Sequence, residues 1–235
     1  MFLTPDNKLK TKWLAYGAAI TFVLVILGIL GLDRTVYPIL NNPECNPWFM
    51  DGGFGCDCAF VIGKVFSAKM WLLITGVLLL VVFVKKSINS KIKYKNTRNH
   101  FSLIVFAKDV IAKVRTNYAF LVFSSVALAA CTTGILKVLI GRPRPMMLSN
   151  TEFNNFIFDW AFNSMPSGHT AATFAGLVMV GMLAPKIKPI TWTLAIIIGV
   201  SRVYIGAHWP SDVIFGAFIG MVAADIVKYL AFKRK

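Results

Sequence analysis

Acidic residues are scarce in this chain: ten Asp and Glu stand against 25 Lys and Arg among 235 residues, giving a formal net charge of +15. No internal repeat, low-complexity tract or linker long enough to separate a pair of domains interrupts it, so residues 1–235 read as one domain. Only four cysteines and three histidines occur. Cys45, Cys56 and Cys58 share one segment with no histidine nearby, which argues against zinc and against a redox centre. One disulfide, from Cys45 to Cys56 or to Cys58, fits that segment if it faces an oxidising compartment. Cys131, inside an apolar run, reads as a small buried residue. The first apolar run lacks a clear small-residue cleavage site and follows a short basic tail, so it reads as an uncleaved helix.

What is abundant is apolar: 57% of residues are hydrophobic and the mean hydropathy is +0.66, too high for an ordinary soluble domain. Six runs can cross a bilayer, at about residues 14–32, 70–84, 118–140, 169–184, 190–207 and 213–232. In hydrocarbon a backbone must satisfy its own polar groups, so these runs predict an all-α, six-transmembrane-helix bundle. The cations are neither gathered on a soluble domain nor interleaved with exposed aromatics, which excludes nucleic acid as the partner. They follow topology instead. With the N-terminus inside, 18 of the 25 Lys and Arg fall on the cytoplasmic side, and both termini are then cytoplasmic.

The segment 33–69 is then external. Pro38, Pro47, Gly52, Gly53 and Gly55 predict an irregular first stretch, and residues 59–69 a short interfacial helix. On the inner side, 85–98 reads as a solvated basic loop and 101–115 as an amphipathic helix lying along the membrane.

Three polar clusters stand out, at 137–145, 166–169 and 201–212. They read K-x6-R-P (Lys137, Arg144, Pro145), P-S-G-H (Pro166, Ser167, Gly168, His169) and S-R-x5-H-x3-D (Ser201, Arg202, His208, Asp212). The predicted topology brings all three to the outer face, where chance matches would have scattered. Lys137 supplies a compact charge, while Arg144 and Arg202 carry planar forks suited to phosphate oxygens. Ser167 and Gly168 open a helix whose free N–H groups can face the same anion. Asp212, four residues after His208, can fix the tautomer of that imidazole and leave its other nitrogen free to attack phosphorus. His169, on another helix, can protonate the leaving oxygen.

Other polar residues carry less. Arg142 could touch a phosphate or headgroup or merely line the water boundary; His100, Arg34, Lys64 and Lys69 read as structural or interfacial. Tyr204, Trp209 and Trp192 read as packing aromatics.

The three motifs resemble the signature of the type 2 phosphatidic acid phosphatase superfamily, complete at the signature positions from Lys137 to Asp212. The resemblance implies phosphate binding by Lys137, Arg144, Ser167, Gly168 and Arg202, a phosphohistidine on His208 oriented by Asp212, and His169 as acid. It implies no metal and no cofactor, a lipid phosphate as substrate and vanadate as inhibitor. The expected activity is hydrolysis of a phosphomonoester or pyrophosphate on a lipid at the periplasmic face of a bacterial cytoplasmic membrane. Lipid A 1-phosphate and undecaprenyl pyrophosphate are the leading substrates, with phosphatidylglycerophosphate and phosphatidic acid as alternatives. Residues 146–165 should help select the headgroup. A transporter, or a non-catalytic phosphate- or lipid-binding protein, would need the cations but no oriented nucleophile, so His208 and Asp212 discriminate against that class.

Overall fold

A computed structural model describes residues 2–4, 7–45, 52–96, 116–147, 153–156 and 158–232. Among them the regular elements are helices, and the one β feature is an isolated bridge between Leu3 and Leu9. Helix α1, Thr11–Leu27, runs through a π-helical turn, Gly28–Leu32, into α2, Asp33–Leu40. Gly31, at φ 142°, makes the kink between them, so the first run continues past the expected residue 32 in a new direction.

Helix α3, Gly53–Val65, starts six residues before the expected interfacial helix. Helix α4, Ala68–Asn96, carries the second run straight on through what reads in the sequence as a basic loop. Lys is a good helix former, and nothing in 85–96 breaks the chain. The amphipathic helix expected over 101–115 lies outside the described residues.

Helix α5, Tyr118–Ile140, has the expected bounds. Asn117 caps its start, accepting from the Ala119 N–H at 2.9 Å, and Gly141 ends it in a left-handed conformation at φ 60°. Helices α6, Gly168–Leu183, α7, Lys188–Tyr204, and α8, Pro210–Phe232, complete the bundle. Among the described residues five helices are long and apolar enough to cross a membrane, and α6 is a shorter apolar one.

The short α6 is the central element, packed against α5, α7 and α8. Gly216 and Gly220 on α8 let that helix come up against the backbone of Ser167, Ala171 and Ala175 at the start and along one face of α6, the small-residue contact that lets backbones approach in an apolar solvent, while Gly176 on α6 makes room for Trp71 of α4. Leu121, Val126, Val178, Met179 and Ile198 fill the remaining space. Cys131, expected to be buried, is exposed on α5 along with Leu128 and Ile135. Lipid and core are equally apolar, so hydropathy could not tell that face from the inner one.

At one end of the bundle α3 lies against the end of α7, where Phe60, Ala59, Ile205 and Ala207 form a second, smaller core. The disulfide there joins Cys45 to Cys56, and Cys58 is free.

Candidate functional site

All three motifs sit at helix ends or in the turns between them. The first spans the end of α5 and its following turn, the second opens α6, and the third joins α7 to α8. They meet at a cavity of about 350 Å³ whose wall includes Arg144, His169, Arg202 and His208, together with Phe60, Lys64 and Trp160. Lys64, which reads in the sequence as an interfacial anchor, therefore faces the same space as the motif cations.

Backbone carbonyls hold each cation. Lys137 donates from Nζ to Asn163 O and, at 3.4 Å, to Ser164 O, and its chain passes beside Gly168. Arg144 donates to Trp160 O at 2.8 Å and Ala207 O at 2.6 Å, and its guanidinium lies 3.8 Å from the centre of the Trp160 ring. Burial draws the Arg144 side chain down to about 10, which leaves it a cation at neutral pH. Arg202 donates to Ala59 O on α3 and, at 2.8 Å, to Ser201 Oγ. Gly63 makes this fit possible, because a Cβ there would overlap the Arg202 guanidinium.

Ser167 caps α6: its Oγ accepts from Thr170 Oγ1 at 2.9 Å and from the Thr170 N–H at 3.5 Å. Its own N–H donates to the Asp212 carbonyl at 2.9 Å, tying the second motif to the third.

His208 and Asp212 are both buried. Asp212 Oδ2 lies 3.6 Å from His208 Nδ1, an electrostatic contact just beyond hydrogen-bond range, and Nδ1 has no other partner. Nε2 lies 3.4 Å from Arg144 Nη1. A guanidinium offers no lone pair, so the nitrogen facing it is the unprotonated one, and the ring proton belongs on Nδ1 toward Asp212. Burial, reinforced by the Arg144 cation, pushes the His208 imidazole well below its ordinary 6.5, and Asp212 opposes that shift.

Asp212 is itself fully engaged. Oδ1 accepts from Arg142 Nη1 at 2.7 Å, and Oδ2 accepts from Ser164 Oγ at 2.5 Å and the Trp209 N–H at 3.0 Å. Arg142, which the sequence left between a phosphate or headgroup contact and the water boundary, is buried and turns inward. Its Nη1 also donates to Ser211 Oγ at 2.8 Å, and its Nη2 pairs with Asp33 Oδ2 at 2.7 Å. Two carboxylates thus flank one buried guanidinium, which lets it leave water.

Asp33, Ser164 and Ser211 are polar residues of this network that sequence reasoning missed. The one signal for Asp33 was an acid placed directly after an apolar run in an acid-poor chain; Ser164 offered none. Among the described residues no three His, Cys, Asp or Glu side chains gather as metal ligands.

Residues 118–235 match the PAP2 superfamily. This chain belongs to that superfamily. The matched PAP2 segment contains every motif residue, whereas Asp33 and the whole of α3 lie before it. Among curated relatives, a lipid A 1-phosphatase of Rhizobium etli is 36% identical over 104 residues, covering 42% of this chain and 44% of the relative. An undecaprenyl-diphosphatase of Sulfolobus acidocaldarius is 41% identical over 58 residues, covering 24% of this chain and 28% of the relative. The chain thus spans less than half the length of these curated relatives. The crystal structure of a PAP2 type phosphatidylglycerolphosphate phosphatase from Bacillus subtilis aligns with a TM-score of 0.59 at 17% identity, covering 94% of this chain and 97% of that one, a likeness of fold.

Proposed function

We propose that this PAP2 protein is a membrane lipid phosphatase working through a phosphohistidine. The observation that carries the reading is His208: it lines a cavity together with Arg144 and Arg202, its Nε2 is 3.4 Å from Arg144 Nη1, and its Nδ1 faces Asp212. Anion binding alone requires no such pair.

In the proposed reaction His208 Nε2 attacks the phosphorus in line with the leaving oxygen. The N–P bond forms as the P–O bond to the lipid breaks, and His169 gives its proton to the departing oxygen. Water then attacks phosphorus, its proton passes to His169, and the N–P bond breaks to release inorganic phosphate. Arg144 and Arg202 stabilise the charge on the equatorial oxygens, with Lys137, Ser167 and Gly168 as further phosphate-binding residues. The imidazolium formed at His208 is balanced by Asp212.

The names of the relatives favour lipid A 1-phosphate or undecaprenyl pyrophosphate as substrate. The excess of cations in segments 85–115 and 228–235 favours a bacterial cytoplasmic membrane with the cavity facing the periplasm. The Cys45–Cys56 disulfide beside the cavity agrees with that side.

The test is phosphate release by the purified protein, in chelator, from a panel of lipid A, undecaprenyl pyrophosphate, phosphatidylglycerophosphate and phosphatidic acid. Release from at least one, inhibited by vanadate, is the expected result; release from none would overturn the reading.

A second expectation concerns Gly63. The clash in Gly63→Ala falls on the tip of a flexible side chain, so the guanidinium moves rather than the helix. The variant should melt within a few degrees of wild type while kcat/KM for phosphate release drops by about tenfold or more, the scale of a lost charge-assisted contact. Unchanged kinetics would mean that Arg202 does not need its seat on α3.

A further inference from the structure

The kinked first helix reaches the far side of the His208–Asp212 pair. The turn at Gly28–Leu32 aims Asp33 into the bundle, where it is 2% exposed. Its Oδ1 accepts from the Ser211 N–H at 2.9 Å, and its Oδ2 from Ser211 Oγ at 2.5 Å and Arg142 Nη2 at 2.7 Å. Gly28 leaves room for this contact, since a Cβ there would lie 2.6 Å from Ser211 Cβ and 2.9 Å from Asp33 Oδ2. Arg142 makes its other ion pair with Asp212 Oδ1 at 2.7 Å. Asp33, Arg142 and Asp212 are therefore one buried row of charges, negative, positive, negative, that ends beside His208.

We propose that Asp33 is a positioning residue for the reaction: by holding Arg142 from behind, it keeps that cation from neutralising Asp212 and so leaves the row one net negative charge to face His208. The inference rests on the reading of His208 as nucleophile. It adds a residue from the first helix to a site whose motifs all lie within residues 118–235.

His208 is faced by Arg144 from the turn after α5, by Lys137 from α5 and by Asp212 from α8, with His169, Arg202 and Lys64 around the cavity. Most of these are cations, so the net negative charge behind Asp212 is what supports an imidazolium or a phosphorylated imidazole. With Asp33 neutral, the row sums to zero. His208 then becomes less basic and a weaker nucleophile, and it is protonated only at lower pH. A purely structural role predicts the reverse. Loosening the first helix would let water reach His208, relieve its burial and raise the pH at which it protonates.

The experiment measures kcat/KM against pH for the full-length protein in detergent, with farnesyl diphosphate or dioctanoyl phosphatidic acid as probe, whichever the wild type cleaves faster. For Asp33→Asn the plateau should fall by about tenfold or more and the acid limb should move down by about one pH unit. Asp33→Ser, smaller and with room for a water, should behave alike and decides the matter if the Asn variant does not fold. Asp33→Glu should keep the limb in place. Asp33→Asn with Arg142→Gln, which removes both charges and leaves Asp212 alone, should return the limb to its wild-type position. A limb that stays or rises in the neutral variants overturns the inference, whatever happens to the rate. Failure of the underlying reading looks different: the wild type cleaves neither probe, or His208→Ala cleaves as well as wild type.

Discussion

His208→Ala should reduce phosphate release at least about 10⁴-fold in kcat/KM, the scale seen when a nucleophile that acts within a coupled unit is removed. Nothing else around the cavity can replace it. His169 sits on another helix, and Lys64 is the remaining amine on the cavity wall. The loss should be chemical rather than structural. His208 Nδ1 makes no hydrogen bond, and the bond from the residue's backbone N–H to Arg202 O, 3.2 Å, survives truncation. The variant should therefore stay folded and still bind vanadate, while the acid-labile phosphoprotein trapped in the wild type disappears. Retention of full turnover would rule out covalent catalysis at this residue.

The wild-type pH profile follows from the same residue. His208 must be neutral to attack, and its imidazole is held well below 6.5, chiefly by burial. A group that protonates only at lower pH stays competent at lower pH. The acid limb of kcat/KM should accordingly lie below 6.5 rather than at the value of an exposed histidine.

Asp212→Asn should be nearly as damaging, by about 10³- to 10⁴-fold in kcat, and should differ from His208→Ala in also lowering stability. Both carboxylate oxygens meet donors: Arg142 Nη1 at Oδ1, and Ser164 Oγ with the Trp209 N–H at Oδ2. An amide nitrogen at either position sets donor against donor. Breaking one partner of a buried ion pair costs about 3–5 kcal/mol, which thermal melting would register as a clear drop. The kinetic loss has a separate origin. The carboxylate that holds the His208 proton on Nδ1 is gone, so the ring can turn its protonated nitrogen to the phosphorus. An Asn variant with wild-type melting and wild-type rate would show that Asp212 serves neither purpose.

Much of this was legible because the motifs are local. K-x6-R-P, P-S-G-H and S-R-x5-H-x3-D each lie on one helix end or turn, where spacing fixes which residues can meet. Hydropathy likewise predicted α5 to the residue, since a cap and a left-handed glycine bound it in the sequence. Three features were beyond such reasoning. The direction of the Arg142 side chain depends on Asp33, 109 positions away. The seat of Arg202 depends on the Ala59 carbonyl, a backbone atom that no side-chain pattern reveals. The choice of Cys56 over Cys58 as partner for Cys45 depends on which face α3 turns to the end of α7, and the two cysteines differ only by their place on a helix.

The way α3 meets Arg202 also limits how the protein could change over time. Part of the cavity wall comes from residues 53–65, a separate stretch from the motifs, so its outward side chains could drift without disturbing the chemistry beneath. Two features of it could not. Any substitute must keep the carbonyl at position 59 within reach of Arg202 and must carry no side chain at position 63. Those two backbone requirements act as a fixed footing, and a designer seeking to give the cavity a different occupant would build on the remaining positions of α3 and leave that footing alone.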